Sequence, residues 1–135
     1  MTQIKQATTE ATWVSVGQQH DLVPDGGVGA RVGDHHIAIF WLPEGQGALY
    51  ALSNYCPFSQ AHILARGIVG DIKGEPVVAS PLYKQHFSLR TGRCLEEDGV
   101  QVAVWPVRLN GDQIEVFSQP MSVDVLKADS EEAAA

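Results

Sequence analysis

The stretch Ala79-Ser80-Pro81-Leu82-Tyr83-Lys84-Gln85-His86-Phe87-Ser88-Leu89-Arg90-Thr91-Gly92-Arg93-Cys94 decides how this chain is read. It leaves a strand, turns at Ser80-Pro81, returns as a short strand and ends on a tight Thr91-Gly92 corner. A second stretch upstream, Asn54-Tyr55-Cys56-Pro57-Phe58, also sets a proline directly after a small side chain at a strand end. Two such loops, each led into by an apolar run, organise the rest of the sequence around them.

Outward from the loops, short β-branched and aromatic runs alternate with turn residues. Thr12-Trp13-Val14-Ser15-Val16 reads as an opening strand, and 21–27, with Pro24 and Gly26-Gly27, reads as loop. A short strand is expected at Ala30-Arg31-Val32, with a turn at Gly33-Asp34. The segment 35–42 is apolar on both faces beyond its two histidines, the pattern of a strand packed between layers. Pro43 to Gly47 reads as a turn, and Ala48 to Ser53 as the strand feeding the first loop. Ile68 to Ile72 and Pro76 to Ala79 flank Lys73-Gly74 as a hairpin. Val100 to Val104 alternates as a strand does. Val107 to Leu109 runs into Asn110-Gly111, where a type I′ turn is expected, with Ile114 and Val116 on one face of the return and Gln113 and Glu115 on the other. Many short strands with no long helical period predict an all-β antiparallel sandwich or barrel with the two hairpin loops at one end.

The domain plan is a frayed N-terminus over 1–11, one domain over 12–118, and a C-terminal extension over 119–135. In that extension Val123 to Lys127 could add a strand or a helical turn, and the acidic, alanine-rich end has little apolar surface to repay ordering. At 135 residues the chain suits a single core. Its 44% hydrophobic and 19% charged residues are those of a globular protein. A net charge of −7 argues against nucleic acid and anionic membrane as partners, both being polyanions. No apolar run approaches the roughly 18–20 residues that span a bilayer, and Met1 to Ala7 lacks a signal-peptide pattern, so a cytoplasmic location is expected. The two cysteines, Cys56 and Cys94, are then expected as reduced thiols, too few for a four-thiolate zinc site.

The paired loops resemble those that clasp the [2Fe–2S] centre of Rieske proteins, where two thiolates hold one iron and two imidazoles the other. Such proteins present Cys-x-His on one loop and Cys-x-x-His on the next. In this chain the corresponding positions are Cys56 and Phe58, then Ser80 and Tyr83. Phe58 has no donor atom, and hydroxyls are poor substitutes for thiolate or imidazole. Cys56 alone remains of the four, so no cluster and no other metal is expected. His62 and His86 lie near the loops at spacings that match neither motif. Phe87, Leu89, Thr91-Gly92 and Cys94 keep the Rieske framing.

The resemblance narrows further. Cys56-Pro57-Phe58-Ser59-Gln60-Ala61 running on to Leu64-Ala65-Arg66-Gly67, with Ser80-Pro81-Leu82-Tyr83-Lys84-Gln85, looks like the small subunit of assimilatory NAD(P)H-dependent nitrite reductase, over roughly residues 12–117. That resemblance implies a Rieske-like fold and an accessory role, structural or regulatory, without an active site of its own. It implies a large-subunit partner that carries FAD, an iron–sulfur cluster and sirohaem and reduces nitrite to ammonium in nitrate assimilation. No glycine fingerprint for a dinucleotide and no cysteine quartet occurs here, so no cofactor is expected on this chain. The candidate partner interface is Phe58, Arg66, Tyr83, Lys84 and Gln85, with Arg90 and Arg93 also placed near the loop tips. Two other readings stand beside it: a stand-alone Rieske-like binding or scaffold domain, and a Rieske-type electron carrier with altered ligands.

Overall fold

The structure is a computed structural model that describes residues 11–44, 48–82 and 84–121. Twelve strands lie among the described residues, all paired antiparallel where they form ladders. β1 (Trp13–Gln18) and a one-turn 3₁₀ segment (Gln19–Asp21) open the domain. β2 (Gly26–Val32), β3 (His35–Leu42) and β4 (Ala48–Ser53) follow as a meander. β5 (Tyr55–Cys56) and β6 (Ala61–His62) form a small ribbon, and a 3₁₀ turn (Leu64–Arg66) leads to β7 (Ile68–Ile72), β8 (Glu75–Ala79) and β9 (His86–Ser88). β10 (Val104–Trp105), β11 (Val107–Asn110) and β12 (Gln113–Phe117) complete the fold.

The main sheet runs β10-β4-β3-β2, and a second runs β11-β12-β1. A third sheet, β9-β8-β7, and the β5-β6 ribbon carry the two special loops. β3 explains how these parts share one domain. Ile37 and Ile39 face a core with Val32, Ala51, Trp105, Ile114 and Val116. Ala38 and Phe40 point the opposite way, into a core with Leu52, Cys56, Leu64, Val78 and Phe87. Side chains alternate across a strand, so a sequence apolar at every position supplies both cores at once. Ala51 and Leu52 on β4 divide in the same way.

Three expectations need correction. Gly26 and Gly27 do not lie in a loop; they begin β2, opposite Trp41 and Phe40. A Cβ on Gly27 would meet the Ala65 carbonyl oxygen and the Phe40 ring, each at 2.7 Å, so glycine there permits close packing rather than a turn. The last hairpin has a register one residue later than expected. Asn110 pairs with Gln113, the two-residue turn is Gly111-Asp112, and only Gly111 takes a positive φ (62°), which is the pattern of a type II′ turn. The type I′ geometry occurs instead at Lys73 and Gly74, with φ of 52° and 89°. Finally, 100–103 is not a ladder strand. Val102 N–H is taken by the Gly92 carbonyl and Arg93 bridges Gln101, so this segment braces the Thr91-Gly92 corner; it meets the main sheet at its end, where the Ala103 carbonyl accepts from Ser53 N–H and Val104 begins the ladder. The expected turn residues 45–47, residues 1–10 and the tail segment Val123 to Lys127 lie outside the described residues.

Candidate functional site

The two loops are built to one plan. In the first, Gln60 N–H donates to the Cys56 carbonyl at 2.7 Å; in the second, Lys84 N–H donates to the Ser80 carbonyl at 3.0 Å. Each loop has proline after its first residue and closes on a fifth residue in the left-handed region, Gln60 at φ 57° and Lys84 at φ 63°. Neither is glycine, so each conformation is held against an intrinsic preference by the surrounding bonds. Asn54 does much of that holding. Its N–H donates to the His36 carbonyl, its carbonyl accepts from Leu64 N–H, and its Oδ1 accepts from Ala65 N–H at 2.7 Å.

The loops meet at their first residues. Cys56 Sγ and Ser80 Oγ are 3.3 Å apart, and both residues are fully buried. Burial alone would push the Cys56 thiol up. The hydroxyls of Ser59 and Ser80 and the N–H groups of Ser59 and Phe58 outweigh it and hold the thiol below its ordinary value. Ser59 Oγ is buried there with no other partner. Cys94 has the opposite environment: burial comes first, and nearby Glu96 adds to it, so its thiol is raised. Both cysteines are free.

Phe58 does not project from the loop. It is half-buried against the core, 6.0 Å from the Phe87 ring centroid. Tyr83 lies outside the described residues. A [2Fe–2S] centre therefore does not fit the described donor set: Cys56 offers a thiolate, Phe58 offers nothing, and the Ser80 hydroxyl is engaged with the sulfur it would have to stand apart from. No group of three or more metal-ligating side chains occurs among the described residues.

The histidines near the loops have other engagements. His86 Nδ1 lies 2.6 Å from Glu96 Oε2, and His86 N–H also donates to that carboxylate, which sits below the usual range although burial opposes the shift. His62 stacks on His36 with centroids 4.1 Å apart and takes the Tyr55 ring edge-on. The frame after the second loop is buried as its residue types suggest: Phe87 and Leu89 are fully buried, and Ser88 Oγ donates to Glu75 while accepting from Arg90 and Thr91 N–H. Gly92 has φ 78°, and a Cβ there would lie 2.1 Å from the Val102 carbonyl oxygen.

Arg66 and Lys84 are exposed, while Gln85 is half-buried with its Oε1 covered. Arg90 lines a groove with Leu42, Tyr50 and Pro76, and Arg93 lines a hollow with Glu75 and Asp98. Two residues that sequence reasoning did not single out stand at the loop end: Ile68 is 68% exposed and Leu82 63%. The Asn54 clamp was also missed, although an asparagine at a strand end is a signal for such side-chain bonding.

Fold and paired loops together define a Rieske-like domain, and a profile described as the Rieske-like [2Fe-2S] domain matches residues 12–117. The nitrite reductase (NADH) small subunit of Escherichia coli K12 is 35% identical over 104 residues, 77% of this chain and 95% of that protein. A solution structure of the E. coli protein NirD superposes with a TM-score of 0.72 at 32% identity, covering 80% of this chain and 97% of that one. The nitrite reductase [NAD(P)H] large subunit of Klebsiella oxytoca is 38% identical over 109 residues, 81% of this chain and 11% of that far longer protein. The chain belongs to the family of nitrite reductase small subunits.

Proposed function

We propose that this chain is the accessory small subunit of a cytoplasmic NAD(P)H-dependent nitrite reductase that forms ammonium for nitrate assimilation. It acts as a structural or regulatory partner of the catalytic large subunit and holds no cluster of its own. FAD, an iron–sulfur cluster and sirohaem are assigned to the large subunit. The observation that carries this is the Cys56–Ser80 pair: the Rieske loop frame is kept while its ligand end is closed by a sulfur–hydroxyl contact. Family membership supports the rest, as does the K. oxytoca large subunit, which contains a stretch similar to this chain within its own sequence. No helix among the described residues is long and apolar enough to cross a membrane.

The partner face is assigned to the loop end. Exposed Arg66 and Lys84 have no ion-pair partner among the described residues, on a chain of net charge −7. Phe58 faces inward, so the apolar contact falls to Leu82 and to Ile68, whose register partner Ala79 lies three residues before Leu82. Steering by charge and anchoring by exposed aliphatic groups is the usual division of labour at a protein interface.

Coexpression with the large subunit tests the assignment. Copurification, with nitrite-dependent NAD(P)H oxidation altered when this chain is omitted, is expected. Failure to associate under any salt condition would overturn it. Iron and acid-labile sulfide near one cluster per isolated chain would overturn the clusterless reading.

A further inference from the structure

Beside the first loop stands a group of basic side chains. Ala38 and Phe40 of β3 point into the loop-side core, and His36, two residues earlier, shares their side of the strand. Its ring stacks on His62 of β6 with centroids 4.1 Å apart, and Arg31 of β2 is its register partner. Asn54 ties both histidines to the loop. Its N–H donates to the His36 carbonyl at 2.8 Å, and its Nδ2 donates to the His62 carbonyl at 3.4 Å. Arg31 and His62 are exposed and His36 is half-buried, so the group opens to solvent.

The elements around His36 bring it no acid. β2 brings Arg31, β6 brings His62 with the Tyr55 ring of β5 edge-on to it, and the 3₁₀ turn packed on β2 and β3 carries Arg66. β4 ends there in Ser53 and Asn54, which do not titrate. His35 lies on the other face against the Trp105 ring, and Asp34 in the turn is not within ion-pair distance. No carboxylate pairs with Arg31, His36 or His62 among the described residues, on a chain of net charge −7. Like charges set opposite each other in a sheet repel. Burial first, then His62 and Arg31, hold the His36 pKa below the ordinary 6.5.

We propose, resting on the large-subunit assignment, that Arg31, His36 and His62 receive a carboxylate side chain of the large subunit. Arg31 supplies a permanent charge, and protonation gives the stacked imidazoles further N–H donors. A carboxylate seated there offsets both repulsions on His36, so binding and protonation favour each other. Association therefore strengthens as pH falls. In the free domain acid has the opposite effect, because His36 is forced to charge with no anion beside it.

The experiment measures binding of the full chain to immobilised large subunit from pH 7.5 to 5.5 at fixed ionic strength. Affinity of the parent chain should rise by up to about tenfold per pH unit, the limit for one proton taken up. His36→Gln and His62→Gln should each flatten that rise, and Arg31→Gln should weaken binding at every pH. Thermal midpoints confirm that the variants are folded. A rise that persists in both histidine variants belongs to another group and overturns the proposal, as does a flat profile in the parent, while the subunit assignment stands. Absence of binding at any pH brings down both. In a separate arm, the isolated chain is titrated with acetate and its imidazole proton shifts are followed. Saturation of both imidazoles at millimolar acetate, with large-subunit binding unmoved by the substitutions, would replace the docking contact with a small-anion site.

Discussion

Cys56 Sγ lies 3.3 Å from Ser80 Oγ, with neither residue exposed, so the first residues of the two loops are joined by a direct contact. The Ser80 hydroxyl is one of the groups that hold the Cys56 thiol low against its own burial. Ser80→Ala is expected to raise the Cys56 pKa and to cost about 1 kcal/mol of stability, the usual net worth of one buried hydrogen bond. Thiolate absorbance titration and urea unfolding check the two effects. An unchanged titration would mean that the contact does not act on the sulfur.

Restoring ligands tests whether the loop frame still has cluster-binding shape. Phe58→His, Ser80→Cys and Tyr83→His together recreate Cys-x-His and Cys-x-x-His around Cys56. The matching five-residue turns closed at Gln60 and Lys84 are the reason to expect success. Anaerobic reconstitution with iron and sulfide should give the triple variant a visible Rieske-type spectrum and the parent chain none. Colour in the parent would contradict the clusterless assignment, and a colourless triple variant would show that the frame has changed as well as the ligands.

Gly92 and Gly99 both take positive φ, at 78° and 86°, but only Gly92 is crowded, its Cβ position 2.1 Å from the Val102 carbonyl oxygen. Gly92→Ala should therefore cost about 3 kcal/mol or more, through strain plus displacement of the brace formed by Val102. Gly99→Ala carries the backbone strain alone, about 1 kcal/mol. Denaturant midpoints of the two variants give the comparison, and equal losses would assign the effect wholly to φ.

Much of this fold was legible because local patterns and tertiary demands agree. The unbroken apolar run of β3 announces a strand shared by two cores, and Ile37/Ile39 and Ala38/Phe40 fill them. Gly26-Gly27 misled because glycine signals both turns and close packing, and only the approach of Ala65 and Phe40 separates the two. At 110–112 the hairpin was readable but its register was not, since both Asn-Gly and Gly-Asp suit two-residue turns. The site divides similarly. Which ligands are absent is written in the residue types, whereas the inward packing of Phe58 and the exposure of Leu82 depend on how each loop is seated.

His36 gives the stability a pH dependence above the carboxylate range. Burial first, then the neighbouring His62 and Arg31, hold its pKa below the ordinary 6.5. The unfolded chain thus takes up its proton at a higher pH than the fold does. Stability should fall as pH drops below about 6.5 and level off once the folded pKa is passed. The depressed Glu96 and Glu115 act lower, their contribution being lost as pH falls below the ordinary 4.5 through their folded pKa values. His36→Gln should flatten the first of these windows in urea unfolding from pH 8 to 5. A slope that persists unchanged would assign it to another group.

The loop-end interface is tested by separating its apolar and charged parts. Leu82 is 63% exposed and Ile68 68%, so neither contributes much to the core and both can be changed with little loss of fold stability. If they anchor the large subunit, Leu82→Asp and Ile68→Asp each put a carboxylate into a desolvated contact. Affinity should then fall at least about tenfold, mostly through faster dissociation. Arg66→Glu with Lys84→Glu should instead slow association and reduce its salt dependence, because exposed charges act through a field that salt screens. Surface-immobilised large subunit with varied ionic strength reads both rates. The thermal midpoint of each variant guards against simple unfolding. Unchanged rates for all four substitutions, with midpoints intact, would move the interface to another face of the domain.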